Sequence, residues 1–417
     1  MPFSKYACLP LAMLALLPAA HAESKKISAQ YWVDLSTAHF SMPGMPEDMR
    51  TGGGGGFLGG LFGGAAGSGA AGGKSLEAAL YVRAHPAGVE GNHAVPAGMN
   101  MGASLPLMPI PQMKHAPGAP THERTESAEK PKGRILLYWG CGESVRQGQP
   151  RIIDFATQSH GDYAHFFSSR GGYSKGAQAS PGNSVWPNER DSKRVPEDAS
   201  LLGEHAVTGP GVPASLKFQV DGAHDFLPRL QVKAKGELQD SIELEWNAMQ
   251  NAKGYFLQAQ GSSPGPDGAV DLILWSSSEK PENGWSLMNY QAPAHVAKLV
   301  QQKVVLAPTA SKCAVPKGIY GKAEGAMLNM IAYGPELNVS HPPRPPKAPA
   351  DWQPEWTARV RVKSTGMAML GAQGAKEGSA SKPSPRSGEQ PAKAASEVQN
   401  AVDILNGVNM LKGLFGK

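Results

Sequence analysis

Ser241-Ile242-Glu243-Leu244-Glu245-Trp246, followed by Ala252-Lys253-Gly254-Tyr255-Phe256-Leu257-Gln258-Ala259, is the stretch on which the fold turns. In the first run Ile242, Leu244 and Trp246 alternate with Ser241, Glu243 and Glu245, the period of two that marks a half-buried strand. In the second, Tyr255, Leu257 and Ala259 share one face. Between them lies a short polar turn, so the two apolar faces can meet as the inner faces of two packed sheets do. Asp271 to Trp275 and Ala326 to Tyr333 add further apolar runs of strand length.

The same period continues on either side. Near the start, Ile27, Ala29, Tyr31, Val33 and Leu35 alternate with Ser28, Gln30, Trp32 and Asp34, and Leu76, Ala78, Leu80 and Val82 repeat the pattern before His85-Pro86 ends it. These two runs read as a hairpin interrupted by the glycine-rich tract 52–73, which is Gly, Ala and Ser apart from Phe57, Leu58, Leu61 and Phe62. Glycine loses more backbone entropy on ordering than any other residue, so such a tract stays mobile unless something packs on it. Arg134 to Trp139 is an apolar run ending in Gly140-Cys141-Gly142. With Arg151 to Phe155 it reads as a second hairpin carrying Cys141 near its bend. The stretches 103–133 and 168–212, rich in Pro, Gly, Ser and charge, read as irregular connections. Trp356 to Lys363 alternates again, and its place at the far end of the chain suggests that it returns to pair with the N-terminal strands.

The segment from about 213 to 341 resembles a fibronectin type III or related immunoglobulin-like sandwich domain. The residues that carry the resemblance are those quoted at the outset: a strand closing on Trp246, a short turn, and a small residue before Gly254-Tyr255 opening the next strand. The resemblance implies an adhesion, spacing or binding module. The long interval between Trp275 and Ala326, which contains Cys313, departs from the family pattern and leaves room for an insertion or a different topology.

Residues 1–22 carry the three marks of a secretory signal peptide: Lys5 near the amino terminus, an apolar core from Leu9 to Leu17, and Ala20-His21-Ala22 as a cleavage signal before Glu23. The core is shorter than the roughly 20 residues a spanning helix needs. The expected location is therefore periplasmic or secreted, with cleavage after Ala22 and no transmembrane segment in the mature chain. A formal net charge of +5 over 417 residues is too mild and dispersed to suggest nucleic acid.

Beyond Cys8 in the leader, the chain has Cys141 and Cys313, which in an oxidising compartment can pair only with each other or remain separate thiols. Cys141 with His160 or His165 downstream permits the alternative of an envelope cysteine hydrolase, which would need a thiolate within reach of a base. His160, Asp162 and His165 lack the four-residue spacing that places two imidazoles on one helical face for a metal, and the glycine-rich tract lacks the Gly-Lys-Ser or Gly-Lys-Thr end of a nucleotide loop. No catalytic residue, cofactor or metal site is expected. At the other end, 371–394 has the composition of a disordered linker, and 395–417 an amphipathic helical pattern with a Ser396/Gln399 capping box. Its Gly413-Leu414-Phe415-Gly416 echoes Gly60-Leu61-Phe62-Gly63.

The expected architecture is thus mainly β: a signal peptide (1–22), an N-terminal β region (23–167) with the insertion 52–73, an irregular connection (168–212), a fibronectin-like sandwich (213–341), a proline-rich segment with a returning strand (342–370), a linker (371–394) and a terminal amphipathic helix (395–417). The expected function is non-catalytic binding or scaffolding in the cell envelope. Phe57, Leu58, Leu61, Phe62, Leu411, Leu414 and Phe415 are the candidate contacts with an envelope protein or a peripheral membrane surface, the alternatives being an inert loop and a helix docked on its own body.

Overall fold

The computed structural model describes residues 27–41, 72–110, 133–155, 157, 166, 168–172, 174–266, 269–323 and 325–371. Residues 1–22, read as a signal peptide, most of the glycine-rich tract, His160 and His165, and residues 395–417, read as a helix, therefore lie outside the described residues. The described residues are mainly β, with 43% strand against 6% helix.

Strand β1 (Ala29–Ser41) lies between β2 (Gly73–Val82), antiparallel to it, and β16 (Trp356–Leu370), parallel to it. The returning strand thus pairs with the N-terminal strand, as its position suggested. β16 also pairs antiparallel with β15 (Ala326–His341), whose register shifts between Tyr333 and Glu336. That shift accommodates Gly334-Pro335, since proline cannot donate to a ladder and is tolerated at a bulge.

Beyond β15 the sheet continues through β12 (Gly254–Pro264), β13 (Val270–Ser276), β5 (Gly133–Trp139) and the edge strand β6 (Arg151–Asp154). On the other side of β2 come β7 (Asn183–Trp186), β4 (Ser104–Pro109), β3 (Gly91–Ala94), β8 (Gly203–Thr208) and β9 (Lys217–Val220), giving 13 strands in one hydrogen-bonded order. β10 (Val232–Lys235), β11 (Ile242–Trp246) and β14 (Lys312–Val315) form a separate three-stranded sheet.

The opening sequence motif does what its periodicity requires. Ile242, Leu244 and Trp246 of the small sheet share one core with Tyr255, Leu257 and Ala259 of the large one, and the Trp246 and Tyr255 rings lie 5.6 Å apart. The long interval after Trp275 holds a 3-10 turn at Trp285–Met288, helix α1 (Pro293–Gln301) and β14. The helix places Val296 and Leu299 against Phe256 and Ile331 in a second core, on the opposite face of the large sheet from Tyr255 and Leu257.

Two features differ from the expectation. β4 falls within 103–133, and β7 and β8 fall within 168–212, stretches read as irregular; these strands are four to six residues long and flanked by Pro or Gly, too short to show a period. The strands of 213–341 also do not pair only among themselves. β9 pairs with β8, β13 pairs with β5, and β16 joins β15. The large sheet therefore runs across the divisions expected from sequence.

A buried ion pair holds the centre. Asp34 on β1 and Arg361 on β16 are 4% and 6% exposed, and Arg361 Nε donates to Asp34 Oδ1 at 2.7 Å. The Ala177 amide donates to the other carboxylate oxygen at 3.0 Å, and Arg361 Nη1 donates to the Ser174 carbonyl at 2.8 Å. The guanidinium also lies 4.4 Å from the Tyr290 ring centroid. Segment 174–177 can approach this closely because residue 176 is glycine: a Cβ there would fall 1.7 Å from Arg361 Nη2 and 2.5 Å from Asp34 Oδ2.

Removing one partner strands the other charge in the core. Arg361→Ala is expected to cost about 3–5 kcal/mol, whereas the double variant Asp34→Leu/Arg361→Leu should cost less than the sum of the two single changes. Urea unfolding of the four proteins measures this coupling, and additive losses would remove the pair's role.

Candidate functional site

The cleft that stands out lies where the large sheet meets the connection after β14. Arg134, Leu136 and Tyr138 project from one face of β5, because alternate residues of a strand share a face. The parallel register sets Asp271 beside Arg134 and Ile273 beside Leu136. Gly318, Ile319 and Lys322 form the opposite wall, and Ser263 to Pro266 close one end, enclosing about 500 Å³. That volume lies in the range of small-molecule sites.

Arg134 Nε donates to Asp271 Oδ1 at 2.9 Å and Arg134 Nη2 donates to Oδ2 in a bidentate pair. Asp271 is only 5% exposed, so the pair anchors one wall. This hydrogen bonding raises the Arg134 pKa further and keeps the guanidinium charged. Burial, with the Asp271 charge added, raises the Tyr138 pKa, so the phenol is a neutral donor in the cleft. Two glycines make the approach possible. A Cβ on Gly133 would meet the Val270 carbonyl oxygen at 2.4 Å, breaking the start of the β5–β13 pairing, and one on Gly265 would crowd Asp271 Oδ1 at 2.9 Å.

The walls are clamped. Cys141, just past β5, is bonded to Cys313 in β14, with the Cα atoms 5.2 Å apart and the two residues 172 positions apart in sequence. Backbone bonds continue the clamp: the Gly142 amide donates to the Ala314 carbonyl at 3.0 Å and the Lys317 amide to the Glu143 carbonyl at 2.9 Å. The loop before β6 is closed by Gln149, whose amide group exchanges hydrogen bonds of 3.0 and 2.9 Å with the Trp139 backbone. Arg146 pairs with Glu279 and donates to the Cys141 carbonyl at 2.8 Å.

The structure thus joins the two cysteines singled out in the sequence, and their sulfurs carry no free thiol. His160, His165, Phe57, Leu58, Leu61, Phe62, Leu411, Leu414 and Phe415 lie outside the described residues. The cleft residues were missed in sequence. The signal available was a lone charge opening each of two apolar runs, Arg134 and Asp271, which only pairing across 137 residues turns into a site.

A second polar cluster lies in the core under β9. His93 and His205 are both fully buried. His205 Nε2 lies 2.8 Å from the Leu201 carbonyl oxygen and must donate to it, so His205 Nδ1 accepts from His93 Nε2, 2.9 Å away. Phe218 stacks on His205 at 5.1 Å and Tyr31 meets His93 edge-on at 5.1 Å. Among the described residues His93 Nδ1 and the Tyr31 hydroxyl have no hydrogen-bond partner. Among the described residues no group of three or more His, Cys, Asp or Glu side chains is placed to hold a metal ion.

No family model and no curated protein matches the chain. Among solved structures, a cytokine receptor complex matches over 72% of this chain and 93% of its own, at 11% identity and a TM-score of 0.18.

Two measurements follow from these contacts. Replacing both cysteines by serine removes a cross-link over 172 residues and is expected to lower stability by about 4–5 kcal/mol; an unchanged denaturation midpoint would show that the bond does not constrain the chain. Burial depresses the pKa of both His93 and His205 from an ordinary value of 6.5. The unfolded chain therefore takes up protons first, and stability present above about pH 6.5 is lost as the pH falls through that value toward the folded-state pKa values. His93→Gln/His205→Gln should flatten the dependence of the melting temperature on pH between 7.5 and 5.

Proposed function

We propose that this is an exported, non-catalytic binding or scaffolding protein of the cell envelope, built around a fibronectin-like sandwich and using the clamped cleft as its contact site. The observation that carries the reading is the cleft itself: a cavity of about 500 Å³ whose two walls are fixed to each other by the Cys141–Cys313 bond. A site held open in this way loses little conformational freedom on binding, which favours affinity. Its lining combines the apolar Leu136, Ile273 and Ile319 with a few polar groups, Tyr138, Lys322 and the Arg134–Asp271 pair.

The fibronectin-like reading is supported by strand order. β10-β11-β14 on one side and β13-β12-β15-β16 on the other give three strands facing four, with Trp246 and Tyr255 in the shared core. Export is supported by the leader sequence and by the disulfide, which persists in oxidising compartments. The hydrolase alternative needs a thiolate at Cys141, and a sulfur bonded to Cys313 offers none.

The intact mass of the protein recovered from its host, taken without reduction, should correspond to a chain starting at Glu23 with both sulfurs oxidised. A photo-crosslinking residue at Lys322 should then give a discrete adduct with an envelope component, absent when the same group replaces the distant Lys253. An uncleaved leader, freely alkylated Cys141, or no adduct at 322 would each overturn the corresponding part of the reading.

A further inference from the structure

Strand β9 ends the 13-strand order, and among the described residues no strand pairs with its outer side. Which backbone groups it turns outward follows from its ladder with β8. Val220 and Phe218 lie opposite Gly203 and His205, and in the same ladder the Val207 amide donates to the Leu216 carbonyl at 3.0 Å. In an antiparallel pair alternate residues bond to the same neighbour, so Lys217, Gln219 and the next residue, Asp221, point their groups the other way.

Some of these outward groups are satisfied within the chain. The Lys217 amide donates to the Ser215 carbonyl at 2.7 Å, and the Asp221 carbonyl accepts from the His224 amide at 3.0 Å. Among the described residues the Gln219 amide and carbonyl, the Lys217 carbonyl and the Asp221 amide have no backbone partner.

We propose that two copies of this chain join β9 to β9 as antiparallel neighbours about a two-fold axis at Gln219, making one sheet continuous through both. The hydrogen-bonding pattern is self-complementary. At the axis each Gln219 amide donates to the other copy's Gln219 carbonyl, and on either side the Asp221 amide of one copy donates to the Lys217 carbonyl of the other. The same register opposes the Lys217 amide to the Asp221 carbonyl, the two groups already bonded within their own chain. Shifting the axis to Phe218 would oppose each Gln219 carbonyl to a committed Lys217 amide and halve the number of bonds.

The side chains agree with this register. Residues opposite each other share a face, where opposite charges attract and like charges repel. Lys217 and Asp221 are both exposed and face each other on each side of the axis. The residues that meet at the axis are uncharged glutamines, which keep Glu204, beside Gln219 on β8, away from its copy. The edge is also held in shape before it meets a partner: Phe218 stacks on His205, Ser215 Oγ accepts from Trp356 Nε1 at 3.0 Å, and the Ala223 amide donates to Asp221 Oδ1 at 2.9 Å. The cleft lies toward the other end of the strand order, beside β5 and β13, so pairing through β9 leaves both clefts open and makes the assembly bivalent.

A contact this short buries less than the roughly 1,200 Å² of stable specific interfaces, so it fills only at high protein concentration. Sedimentation velocity of the full chain should show the mass doubling between about 10 µM and about 1 mM, and hydrogen exchange in the peptide 217–221 should slow at least fivefold over that range. Gln219→Pro removes the donor at the axis and is tolerated where an N–H faces away from its own sheet; it should keep the protein monomeric with unchanged circular dichroism. Lys217→Asp, which sets like charges opposite each other, should weaken association at least fivefold, and Lys217→Asp/Asp221→Lys should restore it. These two variants decide the matter if the proline variant does not fold. A monomer throughout, a dimer untouched by Gln219→Pro, or protection of 217–221 that is independent of concentration, as a segment of the same chain covering the edge would give, would each overturn the proposal.

Discussion

The parallel pairing of β1 with β16, locked by Asp34 and Arg361, is the constraint on which the rest of the sheet depends. The two residues are 327 positions apart, so their contact closes nearly the whole described chain into one structure. Thirteen residues of β1 are in register with β16, and a slip of one residue would turn Tyr31, Val33 and Leu35 out of the core and move Asp34 away from its guanidinium. A buried ion pair contributes little net stability once desolvation is counted, but a broken one is costly, so it discriminates strongly against misregistered pairings. The same pair fixes segment 174–177 through Ala177 and Ser174, and that segment in turn leads into β7.

From this centre the sheet extends to two different margins. On one side β12, β13, β5 and β6 continue from β15, and the small sheet β10-β11-β14 lies across them with a common apolar core. The cleft arises because the small sheet does not reach the margin: its connection at 318–322 stops over β13 and β5, and the disulfide fixes the gap. On the other side β7 through β9 enclose the histidine pair, two imidazoles bonded to each other inside an apolar core, with His93 Nδ1 and the Tyr31 hydroxyl unpartnered among the described residues. Both margins thus carry polar groups whose burial is tolerated because hydrogen bonds replace most of what water supplied.

The interior also relies on missing side chains. Gly176 admits the ion pair, Gly133 admits the β13 carbonyl and Gly261 admits the Gly325 carbonyl, each at distances a Cβ would forbid. At these three positions glycine is required by close approach inside strands or beside a buried charge, not by a turn.

The sequence by itself determined what depends on neighbours along the chain. Alternation in 29–35, 76–82, 242–246 and 356–363 specified strands and a mainly β fold, because a period of two has only one regular backbone that buries one face. The two cysteines bounded the disulfide to one intramolecular pairing, and the tail position of 356–363 pointed to its partner. Tertiary structure alone decided the rest. β4, β7 and β8 are too short to carry a period: β7 is held by the edge of the longer β2, while β4 and β8 pair with the short strands β3, β7 and β9. The Arg134–Asp271 cleft, the His93–His205 pair and the Asp34–Arg361 lock each join single polar residues more than 100 positions apart. Such contacts leave no local pattern, since the physical reason for each residue is the charge, hydrogen-bonding group or space supplied by a strand elsewhere in the sequence.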